Sequence, residues 1–223
     1  MKILALYANP KDGGFVHGCL DLICDRLRQG EASMEAVHLR ELGIRDCTGC
    51  LACLHDGLCP LDDGMNDLCE RLRSADALVL GCSVRMAHVT ALYQRFLERI
   101  TFPLIFTGDL AGKYVLSVAA VGQMGGGRAT RRLLGLRPAG TCHTRHLFFR
   151  VGLPSRLEPR AVSSTLELAA DDLLCRMRDG RRPGPLWRLA RRIDRWVLSR
   201  LLFARNPELY AHPIRRFRQR GWM

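Results

Sequence analysis

Five short apolar runs alternate with segments of helical periodicity, and this alternation restricts the fold more than any other feature of the chain. The run 75–81 is almost continuously apolar, which is typical of a parallel strand covered by helices on both faces. Strands are predicted over 2–8, 33–39, 75–81, 113–121 and 142–151. Helices are predicted over 16–28, 63–73 (with Asp63 as the N-cap), 90–100, 128–134 and 160–178. Strict alternation of this kind predicts an α/β sheet.

The five parallel strands are predicted to lie in the order 2-1-3-4-5, in a doubly wound sheet of the flavodoxin-like type. In such a sheet the ligand crevice lies beyond the carboxyl ends of the strands. Residues 1–180 are assigned to this domain, which includes a cysteine-rich loop at 47–59. Pro183 and Gly184 break the chain after it, and residues 181–223 are predicted to form a basic helical extension.

The positive charge of the chain lies almost entirely in this C-terminal region. Residues 176–223 hold fourteen arginines and three acidic residues, a net charge of +11, whereas the whole chain has a formal charge of +12. The rest of the chain is therefore nearly neutral. This distribution argues against a nucleic-acid-binding body and makes the basic character a property of the extension.

The chain shows no signal-peptide pattern, and no apolar stretch reaches the ~20 residues that a membrane-spanning helix needs. These two features predict a cytoplasmic location. In that compartment the ten cysteines are expected to be reduced thiols or metal ligands rather than disulfides. Four of them are interpreted as small core residues within helices: Cys19, Cys24, Cys69 and Cys175.

Three polar or glycine-rich loops follow predicted strands, at 9–16, 82–90 and 122–128. The first leads directly into a helix, so its free N–H groups and the helix dipole suit a phosphate group. The alternative is that Gly13 and Gly14 merely form a tight turn. Three such loops at the carboxyl edge of one sheet favour a cofactor site over that alternative.

Four thiols lie within thirteen residues, at Cys47, Cys50, Cys53 and Cys59. A short loop lets several thiolates point inward around one metal ion or one iron–sulfur cube, and the final Cys-Pro pair resembles the end of ferredoxin motifs. A zinc ion and a loop without metal are the open alternatives. His55 lies in the same loop, where it is interpreted as a solvent-facing residue rather than a ligand.

These motifs together resemble a known family. The phosphate-type loop at 9–16, the C-x-x-C-x-x-C motif with a fourth cysteine, the segment 81–87 after the third strand and the triple glycine at 125–127 are all similar to its motifs. Over residues 1–175 the chain resembles the NAD(P)H-dependent FMN reductase-like branch of the flavodoxin superfamily. Within that branch it is most similar to the iron–sulfur flavoproteins.

The resemblance implies an FMN cofactor, NADH or NADPH as the electron donor, a [4Fe–4S] cluster and a homodimer or homotetramer. It assigns the cluster to Cys47, Cys50, Cys53 and Cys59. It assigns the FMN contacts to Asn9, Lys11, Gly13, Gly14, Phe15, Val16, Ser83, Val84, Arg85, Met86, Gly122, Gly125, Gly126 and Gly127. No catalytic side chain is assigned, because the flavin ring itself carries the hydride chemistry. No motif separates NADH from NADPH or identifies the acceptor.

Four positions depart from the family pattern. Phe15 and Val16 stand where the family has an asparagine and a hydroxyl residue. Arg85 replaces an aromatic residue, and Ala87 replaces a glycine. The phosphate is then expected to be held by Asn9, Lys11 and the N–H groups of the loop. Arg85 is interpreted either as a cation beside the pyrimidine end of the flavin or as a solvated loop residue.

The sequence therefore predicts an FMN-dependent NAD(P)H oxidoreductase that passes electrons to a small molecule or a protein, with the cluster as an outlet. Since the cysteine loop follows the second strand, it is expected at the same edge of the sheet as the flavin, where Cys82 also lies. The alternative is a non-catalytic flavin or cluster electron carrier, or a redox sensor, whose extension docks a partner or a membrane.

Residues 186–204 of the extension are predicted to form an amphipathic helix. Its apolar stripe consists of Leu186, Leu189, Ile193, Trp196, Val197, Leu201 and Leu202. Its other face carries mainly Arg188, Arg191, Arg192, Arg195 and Arg200. The helix is expected to pack on the body or a sister subunit, or to lie on an anionic membrane surface. Nucleic acid is not an expected partner, because no aromatic platform for bases accompanies the arginines.

Overall fold

Five parallel strands form one sheet in the order β2-β1-β3-β4-β5, which confirms the predicted topology. The computed structural model describes residues 1–123, 125–181 and 184–223. The strands are β1 Lys2–Tyr7, β2 Ser33–His38, β3 Ala77–Ser83, β4 Tyr114–Val121 and β5 Cys142–Arg150. The predicted break at Pro183 lies outside the described residues.

Helices cover both faces of the sheet. They are α1 Phe15–Gln29, α2 Ala52–His55, α3 Met65–Ser74, α4 Ala91–Ile100, α5 Gly127–Leu134, α6 Ser163–Arg178, α7 Pro185–Val197 and α8 Ala211–Gln219. Short 3₁₀ turns occur at Leu39–Leu42, Arg137–Ala139, Pro159–Val162 and Phe203–Arg205, and π-helical turns at Thr101–Ile105 and Leu198–Leu202. Helices α1 and α6 lie on one face, and α3, α4 and α5 on the other.

The two faces of the sheet are packed by alternate residues of each strand. In β1, Leu4 and Leu6 join the core beneath α3, α4 and α5, whereas Ile3, Ala5 and Tyr7 join the core beneath α1 and α6. All eight residues of β4 are buried. Since full burial of one leucine contributes about 1.5–3 kcal/mol, these two apolar layers are the main stabilising term for the sheet.

The predicted N-cap of α3 was wrong by one residue. Gly64 is the N-cap, although the carboxylate of Asp63 still accepts a hydrogen bond from the Met65 N–H at 3.1 Å. Asp63 is displaced from the cap because both of its oxygens bind the guanidinium of Arg99 in α4, at 2.8 and 3.0 Å. The capping pattern alone could not reveal this long-range partner.

The C-terminal extension packs on the body through a buried carboxylate. The Asp109 side chain is 1% exposed, and it accepts hydrogen bonds from Arg73 of α3 at 2.7 Å, from Arg216 of α8 at 2.9 Å and from Arg220 at 2.5 Å. Phe203, Ile214 and Phe217 form a small separate core beside it. The second half of the extension is therefore held against the sheet domain. Whether residues 181–223 form a separate domain stays a prediction.

Among the described residues, the structure holds no helix that combines the length and apolar character needed to cross a bilayer.

Candidate functional site

The loops that follow β1, β3 and β4 meet at the carboxyl edge of the sheet. The Asn9 side-chain oxygen accepts a hydrogen bond from the Ser83 N–H at 2.8 Å, which ties the first loop to the second. The Val84 N–H donates to the Ala120 carbonyl at 2.8 Å, which ties the second loop to β4. Three loops that were separate predictions therefore form one continuous edge, at the position where such sheets bind ligands.

The N-terminus of α1 is open and has no side-chain cap. Gly14 is the N-cap residue, and no side chain among the described residues accepts its helical N–H groups. Gly13 has a left-handed φ of +68°, and a Cβ atom added to Gly13 or Gly14 would meet nothing within 4 Å. Free N–H donors facing open space at the positive end of a helix are suited to a phosphate group.

Phe15 and Val16 contribute only backbone atoms to this loop. The Phe15 ring packs edge-on against Phe149 with ring centroids 5.3 Å apart, and Val16 is buried beside Gly81. Their side chains therefore belong to the core beneath α1, and only their N–H groups can face a ligand. Lys11 is exposed in the same loop.

The loop after β3 contains a tight turn. The Arg85 and His88 backbones exchange two hydrogen bonds, of 2.9 and 2.8 Å, while Met86 and Ala87 adopt left-handed φ angles of +44° and +57°. Two left-handed residues between paired neighbours define a type I′ turn, which favours glycine at these positions. Arg85 and Met86 are exposed on this turn, and Met86 is 99% exposed. The turn thus presents both side chains at the edge of the crevice.

The glycine-rich loop after β4 packs closely on that turn. A Cβ atom on Gly126 (φ +80°) would lie 2.5 Å from Val84, and one on Gly125 (φ +88°) would lie 3.0 Å from Ala87. Gly122 instead approaches Leu153, and Gly127 begins α5. Glycine is required here because both residues have positive φ and because their backbone packs directly on the Val84 and Ala87 side chains. Val84 is buried in this contact.

The four predicted cluster ligands line one small cavity. Cys47 and Cys50 are exposed, Cys53 and Cys59 are half-buried, and none of the four forms a disulfide. The cavity is closed on its inner side by the last turn of α4 and by Phe102. Four thiols that share one cavity are a donor set suited to an iron–sulfur cluster.

Cys59 is the most firmly held of the four thiols. The Asn66 side chain accepts a hydrogen bond from the Cys59 N–H at 2.9 Å and donates to its carbonyl at 2.8 Å. The Arg99 guanidinium donates to the Cys59 sulfur at 3.2 Å while it pairs with Asp63. The side chains of Arg99 and Asp63 are 1% and 3% exposed. A buried cation therefore stands next to one proposed ligand.

The four thiols influence one another electrostatically. The pKa of Cys53 is raised to about 11, chiefly by burial and then by the neighbouring sulfurs of Cys59 and Cys47, because two thiolates repel. The pKa of Cys50 is lowered, chiefly by a hydrogen bond from the Ala52 N–H and then by the Thr48 side chain. Cys50 is thus more ready to ionise than Cys53, whose thiolate needs a bound cation.

The spacing of the sulfurs disfavours a preformed zinc site. Among the described residues, no three cysteine sulfurs lie within 4.8 Å of one another. Four thiolates on one zinc ion at about 2.3 Å would lie only ~3.8 Å apart. Wider spacing suits a cube, in which each thiolate binds a different iron atom.

The cysteine cavity does not lie at the edge where the flavin loops meet. Thr90 caps α4 and donates to the Ala8 carbonyl at the end of β1, whereas the cavity contacts α4 at Arg99. Nine residues of helix separate these points, which is about 13 Å. The expectation of a shared edge was wrong, because the loop after β2 runs along the outside of α4.

Cys82 is fully buried beneath Thr90, and Cys175 is exposed rather than a core residue.

One group of potential metal ligands was missed by sequence reasoning. Single ligand atoms of Asp12, His17 and His38 all lie within 4.8 Å of one another. The group could accept a divalent cation, but Arg40 already pairs with Asp12 at 2.5 Å, and His17 pairs with Asp21 at 3.0 Å. These three residues therefore belong to an ion-pair network beside the first loop. His38 reaches it only because β2 lies next to β1, which no local motif signals.

His143 and His146 form a polar group under α5. The Ser117 hydroxyl lies 3.0 Å from His143 Nε2 and 2.8 Å from His146 Nδ1. Burial lowers the pKa of both imidazoles to about 4, assisted by the charges of neighbouring arginines. Both rings are therefore neutral near pH 7.

His55 is exposed, with Nδ1 2.6 Å from Asp56, and turns to solvent as predicted.

Residues 1–143 match the model of one protein family, described as NADPH-dependent FMN reductase. An iron–sulfur flavoprotein of Archaeoglobus fulgidus is 30% identical over 125 residues, which cover 56% of this chain and 56% of that protein. An iron–sulfur flavoprotein of Methanocaldococcus jannaschii is 24% identical over 130 residues, which cover 58% and 67% of the two chains. The chain thus spans little more than half the length of the first of these relatives.

Solved structures share the fold at low sequence identity. An apo NADH:FMN oxidoreductase superposes with a TM-score of 0.56 at 19% identity. The superposed region covers 78% of this chain and 88% of the oxidoreductase chain. An NAD(P)H:quinone oxidoreductase from Methanothermobacter marburgensis superposes with a TM-score of 0.61 at 16% identity and covers 76% and 97%. These likenesses establish the flavodoxin-like fold.

Proposed function

Since the chain belongs to the NADPH-dependent FMN reductase family, we propose that it is an FMN-dependent NAD(P)H oxidoreductase. The observation that carries this proposal is the open, uncapped N-terminus of α1, which stands beside the loops after β3 and β4. When bound, FMN would supply the hydride-accepting ring. The protein's task is then to bind the phosphate, orient the ring and control access to it.

The residues fit an FMN phosphate through backbone groups. The N–H groups of Gly14, Phe15 and Val16 would donate to the phosphate, and exposed Lys11 would add positive charge. Asn9 has less to offer than the sequence suggested, because its side-chain oxygen is already used by Ser83 and only its NH₂ group is left to donate. Phosphate binding would therefore depend mainly on the helix terminus.

The other two loops would hold the flavin ring. Arg85 and Met86 stand on an exposed turn, and Gly125 and Gly126 pack directly beside it. A ring lying against this pair of loops would have the Arg85 guanidinium within reach of its polar edge. A cation there would stabilise negative charge on the reduced ring. This position is the basis for retaining Arg85 as a flavin contact.

We further propose a [4Fe–4S] cluster on Cys47, Cys50, Cys53 and Cys59. Their common cavity supports it, as does the name of the relatives. Arg99 would donate a hydrogen bond to the sulfur of Cys59, one of the cluster ligands. Asn66 would hold the backbone of Cys59 in place. The cavity contacts α4 at Arg99, about 13 Å along the helix from Thr90, so the cluster would lie apart from the flavin loops.

The alternative function is a cluster or flavin carrier without turnover of its own. The exposure of Cys47 and Cys50 favours it, since a protein partner could contact the cluster directly.

The acceptor of the enzyme would be a small molecule or a protein. The family description favours NADPH as donor. A homodimer or homotetramer and a cytoplasmic location are parts of the same proposal, and sedimentation velocity tests the first.

One experiment separates these functions. Anaerobically purified protein is titrated with FMN and with riboflavin, and then mixed with NADPH or NADH. We expect a shift of the flavin spectrum, at least about tenfold weaker binding of riboflavin because it lacks the phosphate, and bleaching by a nicotinamide nucleotide. Equal affinity for both flavins contradicts the phosphate site. Binding without bleaching favours the carrier.

A further inference from the structure

Helix α7 turns its arginine side toward the body. Trp187, Arg191 and Arg195 are its half-buried residues. The Arg191 guanidinium lies 3.5 Å from the Pro138 carbonyl, and the Arg195 guanidinium lies 4.5 Å from the centre of the Trp222 ring. The side of the helix that a soluble protein would normally leave in water is therefore the side that contacts the rest of the chain.

The apolar side of the same helix points outward. Five of its side chains are between 38% and 81% exposed: Leu186, Leu189, Ile193, Trp196 and Val197. Leu201, in the π-helical turn that follows, is 51% exposed. No residue of α7 is buried. Within the part of the chain that the structure describes, nothing covers this stripe. A surface helix ordinarily buries such a stripe against its own core, so this orientation calls for an apolar surface outside the chain.

Positive charge flanks the stripe. Arg188, Arg192 and Arg200 are exposed beside it, whereas the one acidic residue of the helix, Asp194, is paired with Arg191 at 2.9 Å. An open cleft of about 570 Å³ lies between the helix and the C-terminal residues. It is lined by Arg192, Arg195, Trp196, Ser199, Arg200 and Trp222, among others. An apolar stripe bordered by arginine and tryptophan is the pattern of a helix that lies in a membrane interface.

We propose that α7 docks this chain on an anionic bilayer surface. The stripe would enter the boundary between headgroups and acyl chains, and the exposed arginines would bind lipid phosphates. A second copy of the chain is the less suitable occupant. A two-fold contact places the same patch against itself, so the arginines that border one stripe would lie close to those that border the other and repel them.

The test is co-sedimentation of the intact chain with vesicles. Vesicles of phosphatidylcholine alone are compared with vesicles that contain phosphatidylglycerol, at low and high salt. We expect sedimentation with the anionic vesicles and a decrease at high salt. The combined variant Leu189→Ser, Ile193→Ser and Trp196→Ser should lose at least tenfold in partitioning. Each of Arg188→Gln and Arg192→Gln should lower it about fivefold.

The matched control is Leu168→Ser, which removes an apolar side chain that is 63% exposed on α6. It should leave vesicle binding unchanged. All substituted side chains are exposed, so the melting temperature checks that each variant is folded. Failure of the intact chain to sediment with anionic vesicles overturns the proposal. A dimer that the combined variant loses, with no vesicle binding by the parent chain, assigns the stripe to a second copy instead.

Discussion

The guanidinium of Arg99 donates a hydrogen bond to the sulfur of Cys59 at 3.2 Å while both of its terminal nitrogens bind the buried carboxylate of Asp63. Burial opposes ionisation of Asp63, but the hydrogen bonds from Arg99 and from two backbone N–H groups still lower its pKa. The pair is therefore charged at neutral pH. It connects α4, the start of α3 and the cysteine loop in one contact.

Removing Arg99 should destabilise the fold strongly. Arg99→Met leaves the Asp63 carboxylate buried without its partner, and we expect a loss of about 3–5 kcal/mol in the free energy of unfolding. Urea denaturation measures it. Arg95→Met is the matched control, because Arg95 lies one turn earlier on α4 and pairs with exposed Asp46 at 2.6 Å. It should cost less than ~1 kcal/mol. Equal losses of unfolding free energy in the two variants would show that the buried ion pair stabilises the fold no more than the exposed one.

A carboxylate at the start of α1 should exclude FMN. Gly14 has φ −84°, so aspartate fits its backbone, caps the free N–H groups and repels a phosphate. We expect Gly14→Asp to weaken FMN binding at least about tenfold, measured by flavin fluorescence, while stability rises by a few tenths of a kcal/mol. Gly184→Asp is the control, since Gly184 is the uncapped N-cap of α7, a helix that contacts Pro138 and Trp222. Unchanged FMN affinity in Gly14→Asp would contradict the phosphate site.

The proposed cluster makes a direct prediction about iron. After anaerobic reconstitution we expect about four iron and four sulfide per chain, and less than about one iron in Cys53→Ser. Cys175→Ser is the control, because that thiol is exposed on α6 outside the cysteine loop. It should retain the full content. Iron and acid-labile sulfide assays measure both. Zinc in place of iron, or iron that survives Cys53→Ser, would refute the assignment.

The fold should lose stability as the pH falls from 6.5 toward 4. His143 and His146 are neutral in the fold with pKa values of about 4, against 6.5 in the unfolded chain. In this window the unfolded state binds more protons, so stability is present above pH 6.5 and declines as the pH falls. Since both rings keep partial solvent contact, we expect about 1–3 kcal/mol for the pair. Melting temperatures across this range measure the effect.

A variant identifies the source of that dependence. His143→Gln combined with His146→Gln removes both titrating groups and should flatten the decline between pH 6.5 and 4. His88→Gln is the control, because His88 is exposed and its recorded hydrogen bonds are through the backbone. It should leave the decline unchanged. An unaltered decline in the double variant would place its origin in other groups, such as His212, whose imidazole pKa is also lowered by burial.

Local patterns were sufficient to predict the sheet and the loops at its edge. Strand β4 is buried at every residue, and a run such as 113–121 can do little else than form a central parallel strand. The open terminus of α1 follows from Gly13 and Gly14 directly before a helical pattern. These features depend on neighbours in the chain, which the sequence displays.

The features that were missed depend on distant partners. The local sequence predicts Asp63 as a helix cap, whereas in the fold its carboxylate also pairs with Arg99, which lies 36 residues later in the chain. The direction in which the cysteine loop leaves β2 decides that it meets the end of α4 near Arg99 rather than Thr90. Periodicity identified the amphipathic helix but not which of its sides faces the body. That choice depends on contacts such as Arg195 with Trp222.

The last helix of the chain also completes the surroundings of the cysteine loop. Arg215 of α8 donates to the His55 carbonyl at 2.9 Å, and the His212 ring fills the space beside Gly57. The first of these contacts joins residues 160 positions apart, so the cysteine loop is synthesised well before Arg215 can reach it. Until α8 docks, the part of the loop around Gly57 lacks this neighbour. If the loop holds the proposed cluster, iron delivered before that contact forms would meet a loop that is not yet fixed on this side.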